Sequence, residues 1–378
     1  MISGLFKNTF RELKYLFKRE TDYYRINPQD ALFFLTYRCT SQCKTCSMWQ
    51  RQKSQEELSL ADWQRIVDMC YAQGVKYIEL FGGDALLRKD VLVPLIAHIK
   101  TYPIEADLVT NCNLMDRAMA EGIVGAGLDD IWLSIDGVEK THDYVRGKEG
   151  SYDKVVACLE SVRQARGMGK RPFMHCNTTV SNLNVGTLDK ILDFAEEKGL
   201  DFMHLEYAGE FTSQIVNYTE IDNIKPNPYF VSQGNSILAN PTQARSLKEE
   251  IQQLKKKARN LKINLMTENV DCLNFDNMVS GQFGNRRCYI THFKVTVDPY
   301  GNVLGCPFFG NYHLGNLKDG ELSQIWKGKK HIHFIRSFGK IQSVFCKYCV
   351  LGVQRNRTFW QLLENKTHHF LEKAQGKA

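Results

Sequence analysis

The sequence predicts an α/β chain: a partial (β/α)6 barrel followed by a small cysteine-rich C-terminal domain. Three observations carry this. Between residues 30 and 207, short apolar runs alternate with amphipathic helical segments. The rhythm stops at residue 208. A second group of cysteines then falls in a stretch rich in Gly and aromatics, residues 286–350. Strands alternating with helices of roughly 10–15 residues make βαβ units and a parallel sheet. The six strands read here bend into an open barrel, and in such folds chemistry sits at the C-terminal ends of the strands.

Residues 1–29 are a lead-in. Over residues 1–20, Ile2, Phe6, Phe10, Leu13 and Phe17 recur at helical spacing, and Lys7, Arg11, Lys14, Lys18 and Arg19 fill much of the remainder. Such a helix either packs on the main domain or rests on a membrane surface or a partner. The barrel strands are expected at 31–35, 77–81, 106–110, 131–135, 173–180 and 202–207. The intervening helices are expected at 60–72, with Ser59 as N-cap, and at 91–100, 114–126, 152–166 and 185–198. Residues 208–285 read as a connector. Pro226, Pro228 and Pro241 punctuate it, and a polar helix over 244–261 presents Lys255, Lys256 and Lys257 to solvent. Within 286–350, residues 297–303 read as a β-hairpin that delivers Cys306 at its end. Residues 351–378 close the chain with a helix over 358–374.

Hydrophobic residues make up 43% of the 378 and charged residues 24%, which excludes a disordered chain. No apolar run reaches the ~18–20 residues that span a bilayer. Lys7, Arg11 and Lys14 interrupt any signal-peptide core. A cytoplasmic protein is expected, with the helix over 1–20 offering a peripheral contact to the inner membrane face. The net charge of +7 is mild and dispersed, and does not point to nucleic acid.

Twelve cysteines in a reducing compartment are ligands where they cluster and packing residues where they stand alone. Cys39, Cys43 and Cys46 follow the first strand directly. Three close thiolates can hold three irons of a cubane [4Fe–4S] cluster and leave the fourth iron open. A structural zinc site normally closes with a fourth Cys or His, and the next histidine is His98, far along the chain. Cys288, Cys306, Cys346 and Cys349 form the second set. On chemistry alone, four thiolates with one Cys-x-x-Cys suit a zinc or a closed iron–sulfur cluster. Cys70, Cys112, Cys158, Cys176 and Cys272 are scattered.

The first set resembles the signature of the radical S-adenosylmethionine (radical SAM) superfamily, Cys-x3-Cys-x2-Cys after strand one. The resemblance extends over residues 30–207 through motifs at strand ends. Gly82-Gly83-Asp84 resembles the family's Gly-Gly-Glu, which receives the methionine amino group; Asp is one methylene shorter than Glu. Asn111 stands in Thr110-Asn111-Cys112, where the family often has Thr-Asn-Gly. Ser134 and Asp136 point to one side of an extended Ser134-Ile135-Asp136-Gly137. With Asn177 on the fifth strand and Arg146 in the segment 142–147, the resemblance implies contacts to ribose, to the methionine end and to its carboxylate. The second set resembles the opening of a SPASM domain, with Gly301 five residues before Cys306. Arg355 and the lack of any cysteine after Cys349 fit the shorter Twitch form, which carries one auxiliary [4Fe–4S] cluster.

The cofactors implied are therefore two [4Fe–4S] clusters and S-adenosylmethionine (SAM), with reduced flavodoxin or ferredoxin as electron donor. The activity implied is formation of a 5′-deoxyadenosyl radical that abstracts hydrogen from an unactivated C–H bond. The auxiliary cluster is the natural acceptor if the substrate radical is then oxidised. The 29 residues before strand one are too few for a leader-binding domain. Dehydrogenation of a small sugar, cyclitol or lipid-linked compound is therefore expected, with peptide modification as the alternative. A non-catalytic iron–sulfur electron carrier is the alternative from another class.

Overall fold

The computed structural model describes residues 26–51, 56–232, 235–283, 288–341 and 344–350. The helices expected over 1–20 and 358–374 lie outside them. Strand β1 (Asp30–Phe34) is buried along nearly its whole length, as its unbroken apolar run requires. It pairs in parallel with β2 (Tyr77–Phe81). Helix α1 (Leu60–Ala72) crosses between them. Its capping box has the Ser59 hydroxyl accepting the Asp62 N–H and the Asp62 carboxylate accepting the Ser59 N–H. Trp63, Ile66, Val67 and Cys70 are its buried stripe, and the Trp63 ring lies 4.9 Å from that of Phe33.

The alternation continues through α2 (Leu92–Ile99), β3 (Glu105–Thr110), α3 (Arg117–Gly125), β4 (Asp130–Ser134), α4 (Lys140–Arg146), α5 (Ser151–Arg166), β5 (Phe173–Val180), α6 (Leu188–Glu197) and β6 (Phe202–Tyr207). Beyond the barrel come α7 (Ser213–Asn217), α8 (Pro241–Ala258), β7 (Asn264–Met266), α9 (Glu268–Asp271), α10 (Phe275–Ser280), α11 (Ile290–Phe293), β8 (Lys294–Val297), β9 (Asn302–Leu304), β10 (His313–Asn316), α12 (Leu322–Ile325) and α13 (Lys329–Ile341).

One sheet of ten strands runs in the order β10-β9-β8-β1-β2-β3-β4-β5-β6-β7. It is parallel from β8 to β7 and does not close. Two features go beyond the six-stranded expectation. Strand β7 adds to the edge beyond β6, and β8 pairs in parallel with β1, placing Lys294 opposite Asp30. The C-terminal hairpin is therefore an extension of the barrel sheet. Its turn, residues 298–301, is held by the Asp298 carboxylate, which accepts the N–H groups of Tyr300 and Asn302.

Burial alternates along β2 and β4. Ile78, Leu80, Ile131 and Leu133 are fully buried, while Tyr77, Glu79, Trp132 and Ser134 are partly exposed. The buried set faces the helices; the other set lines the concave face. That face is polar and tightly bonded. Tyr77 Oη and Trp132 Nε1 both donate to Asp107 Oδ2, the second at 2.8 Å. The His175 ring stacks on Trp132 at 4.0 Å and its Nε2 lies 2.6 Å from Asp130 Oδ1. No helix among the described residues is long and apolar enough to cross a membrane.

Candidate functional site

The first cysteine loop leaves the C-terminal end of β1 and is laced to the loop after β2. Gly83 N–H donates to Thr36 O at 2.8 Å and Asp84 N–H to Arg38 O at 2.9 Å. The approach is so close that only glycine fits. A Cβ on Gly82 would meet Thr36 O at 2.4 Å, at a φ of +147°, and one on Gly83 would meet Arg38 O at 2.1 Å. The Cys39 sulfur consequently rests 3.3 Å from Gly83 O.

Three polar side chains fix the loop from the β2 and β3 ends. Thr40 Oγ1 donates to Asp84 Oδ2 at 2.8 Å and accepts from Asn111 Nδ2 and Asn113 Nδ2, each at 3.1 Å. Asn111 Nδ2 also lies 3.7 Å from the Cys39 sulfur. Asp84 is 1% exposed, and burial raises its carboxyl above the usual range against the Thr40 hydrogen bond. Sequence reasoning missed Asn113, whose Nδ2 also reaches Ser41 Oγ at 2.8 Å. Between the two asparagines Cys112 sits at φ +70°, the left-handed region that explains the glycine of the resembled motif.

The opposite flank of the loop is held by α4. Lys44 N–H donates to Val145 O at 2.9 Å, and Gly147, at φ +59°, passes so near that a Cβ would meet Gln42 O at 2.2 Å. Arg146 sits at the end of α4. Its Nη1 lies 3.8 Å from the Cys43 sulfur and its Nη2 lies 2.8 Å from Asp136 Oδ2. Burial opposes the charge on Arg146, but Asp136 and Cys43 outweigh it and keep the guanidinium protonated. Arg146 Nε is buried with no hydrogen-bond partner among the described residues. Asp136 is tied further by Thr179 N–H, which donates to its Oδ1 at 2.8 Å.

The loop thus gathers Cys39, Cys43, Cys46, Gly82, Gly83, Asp84, Asn111, Asp136 and Arg146. Ser134 and Asn177 are register partners on β4 and β5 and share the concave face. Asn177 Oδ1 lies 3.2 Å from His204 Nδ1, and among the described residues neither Ser134 nor Asn177 hydrogen-bonds to the cysteine loop. Beside the loop lies a cavity of about 420 Å³ whose lining includes Cys43, Cys46, Trp49, Leu183 and the buried Glu210. That is room for a nucleotide-sized ligand.

The donors of the loop are all thiols, a set that iron–sulfur clusters use. Burial raises the Cys39 thiol and pushes the Cys46 thiol up to about 12, so thiolates there need a cationic partner. Among the described residues, no three His, Cys, Asp or Glu side chains converge closely enough to hold one metal ion.

The family models decide the identity. One, described as the Radical SAM superfamily, matches residues 33–195, and one described as an iron-sulfur cluster-binding domain, SPASM, matches residues 288–350. The chain carries a radical SAM domain followed by a SPASM domain. Over 187 residues it is 30% identical to Fe-coproporphyrin III synthase of Methanosarcina barkeri, covering 48% of this chain and 45% of that protein. Over 187 residues it is 28% identical to PqqA peptide cyclase of Granulibacter bethesdensis, covering 48% of each. The chain spans about half the length of these curated relatives. Streptococcus suis SuiB, solved bound to precursor peptide SuiA, shares the fold, with a TM-score of 0.63 at 17% identity over 90% of this chain and 75% of that one.

A radical SAM domain implies a [4Fe–4S] cluster and SAM, and a SPASM domain implies further iron–sulfur binding. The second cysteine set falls inside the SPASM match, residues 288–350. Cys288 and Cys306 are buried, and Cys346 and Cys349 bracket a single turn closed by Cys349 N–H donating to Cys346 O at 3.1 Å. Burial raises the thiols of Cys306 and Cys346 well above their ordinary value, and the charge of neighbouring cysteines in the set adds to it, so the four lie within one another's field. Cys272 is exposed and its sulfur donates to Asn269 O at 3.4 Å.

Proposed function

We propose that this radical SAM enzyme modifies a peptide. The radical chemistry in this reading is carried by the cysteine loop: three thiols, a guanidinium with one unpartnered N–H, and a cavity of about 420 Å³ opening onto Cys43 and Cys46. Bound together, a [4Fe–4S] cluster and SAM supply a carbon radical able to take hydrogen from an unactivated C–H bond. In this reading Cys39, Cys43 and Cys46 hold the first cluster, and Cys288, Cys306, Cys346 and Cys349 hold an auxiliary one. Gly82, Gly83 and Asp84 receive the methionine amine, Arg146 its carboxylate, and Asn111, Ser134, Asp136 and Asn177 orient the remainder of SAM. A reduced flavodoxin or ferredoxin is the proposed electron donor.

The relatives support a peptide over the small molecule that sequence reasoning put first. One is a PqqA peptide cyclase, and SuiB was solved with its precursor peptide. The earlier preference rested on the short segment before β1, and this chain spans only about half of its curated relatives. Likeness to Fe-coproporphyrin III synthase keeps oxidation of a small molecule as the second reading. The test is anaerobic turnover of reconstituted protein with SAM and reductant. A peptide that raises 5′-deoxyadenosine above the peptide-free level and emerges with a changed mass supports the proposal. Turnover driven by a sugar, cyclitol or porphyrin and by no peptide overturns it.

A further inference from the structure

Residues 226–230 lie in the stretch that the sequence marks only as a connector, yet they touch both cysteine loops. Tyr229 O accepts the N–H of Ser47, the residue after Cys46, at 2.9 Å. Asn227 N–H donates to Phe308 O at 2.8 Å, two residues after Cys306, and Asn227 Oδ1 accepts the Gly310 N–H at 2.6 Å. Arg51 clamps the same strap: its Nη2 donates to Asn227 O at 2.5 Å, and its guanidinium lies 4.8 Å from the Tyr37 ring and 5.6 Å from the Tyr229 ring.

The Tyr229 side chain fills the space between the sites. It is 5% exposed. Its ring lies 5.0 Å from Phe308, which lies 5.4 Å from Phe211, which stacks at 4.4 Å on Phe345, the residue before Cys346. On the barrel side it meets Phe34 at 6.3 Å and Phe81 at 6.4 Å, at the ends of β1 and β2. Burial raises its hydroxyl well above the usual value, and charge on Cys46 and on Cys349 both add to that, so the ring stands in the field of both sites.

We propose that Tyr229 is a positioning residue that couples the two iron–sulfur sites, so that SAM arriving at the Cys39, Cys43 and Cys46 site changes the reduction potential of the Cys288, Cys306, Cys346 and Cys349 site. The inference rests on both sites holding clusters. Cluster potentials respond to hydrogen bonds and solvent exposure around the sulfurs. A close-packed interior passes a displacement on instead of absorbing it. A movement of Ser47 draws on the Tyr229 carbonyl, and the ring cannot follow without moving Phe308, which has no free surface. The coupling is reciprocal: reduction of the second cluster changes SAM affinity by the same factor, and a tenfold change corresponds to about 59 mV for a one-electron couple.

The experiment is an anaerobic potential titration of the reconstituted full chain, followed by electron paramagnetic resonance, with and without SAM. Iron is counted in every variant. Wild type is expected to show a SAM-dependent shift of the second cluster, matched by the change in SAM affinity when that cluster is reduced. Tyr229→Phe keeps the shift, while Tyr229→Leu and Arg51→Gln lose most of it at unchanged iron content. No shift in wild type overturns the proposal, and so does a full shift in both Tyr229→Leu and Arg51→Gln. If Tyr229→Leu does not hold both clusters, Arg51→Gln decides, because it unclamps the strap at Asn227 O without emptying the space between the sites. Failure of the parent reading registers separately, as wild type that lacks iron at one site or makes no 5′-deoxyadenosine.

Discussion

The guanidinium of Arg146 spans the carboxylate of Asp136, 2.8 Å away, and the sulfur of Cys43, 3.8 Å away. Asp136 is 1% exposed. Removing its cation leaves a buried carboxylate with the Thr179 N–H but no counter-charge, a loss of about 3–5 kcal/mol. Arg146→Leu is therefore expected to lower the unfolding free energy by roughly 3 kcal/mol, measured by urea titration of the reconstituted protein. Adding Asp136→Asn to Arg146→Leu should recover part of the loss. Equal stability of the single and double variants would show that the pair is not what holds this flank.

Gly83 tests the lacing of the loop. A Cβ there would stand 2.1 Å from Arg38 O, so alanine must push apart the strand end that carries Cys39. Gly83→Ala is expected to lose the first cluster and keep the second, about four irons per chain against about eight in wild type. Gly125→Ala is the control, since a Cβ there meets nothing within 4 Å. Full iron content in Gly83→Ala would mean that the loop tolerates the displacement.

Much of this site was readable in the chain, and the reason is chemical. Three close thiols can hold a cubane with one iron open, and Cys39, Cys43 and Cys46 stand at the spacing, directly after the first strand, that resembles the radical SAM signature. The Gly82-Gly83 pair was readable because close backbone approach admits no other residue. What sequence periodicity could not supply is set by tertiary pairing. Strand β7 has three residues, too few for any alternation to register. The pairing of β8 with β1 joins positions 264 residues apart, as in Asp30 opposite Lys294. Asn113 carried one signal, its place one residue beyond the Asn111-Cys112 pair, but an asparagine in a turn is ordinarily read as turn chemistry.

The second cluster gives the cleanest separation of roles. Cys306→Ala removes a proposed ligand that is 5% exposed and shares its field with Cys349 and Cys288. It is expected to halve the iron, to about four per chain, while the first cluster still changes its electron paramagnetic resonance signal when SAM is added. Cys43→Ala should give the reverse: similar iron, no response to SAM and no 5′-deoxyadenosine. Retained SAM cleavage in Cys43→Ala would overturn the assignment of the first site.

Asp107 makes a prediction about pH that is independent of any cluster ligand. It is 2% exposed, and burial pushes its carboxyl up to about 7 against the hydrogen bonds from Tyr77 and Trp132. In the unfolded chain the same carboxyl titrates near the ordinary value of about 3.9. Between those values the folded protein holds a proton that the unfolded chain has released. Stability from this group is therefore fully present below about pH 4 and is lost as pH rises through about 7, by up to roughly 1.4 kcal/mol per unit. His142 pulls the opposite way. Burial, with Arg146 adding to it, lowers its pKa to about 3, so its contribution is lost as pH falls below about 6.5. That term is common to wild type and to an Asp107 variant and cancels in their difference. Asp107→Asn has no proton to release, so its stability relative to wild type should climb by a few kcal/mol between pH 4 and pH 8, whatever constant offset the amide adds. Urea unfolding followed by tryptophan fluorescence across that range measures the difference, and a flat difference from pH 5 to pH 8 would mean that Asp107 is ionised in the folded protein throughout.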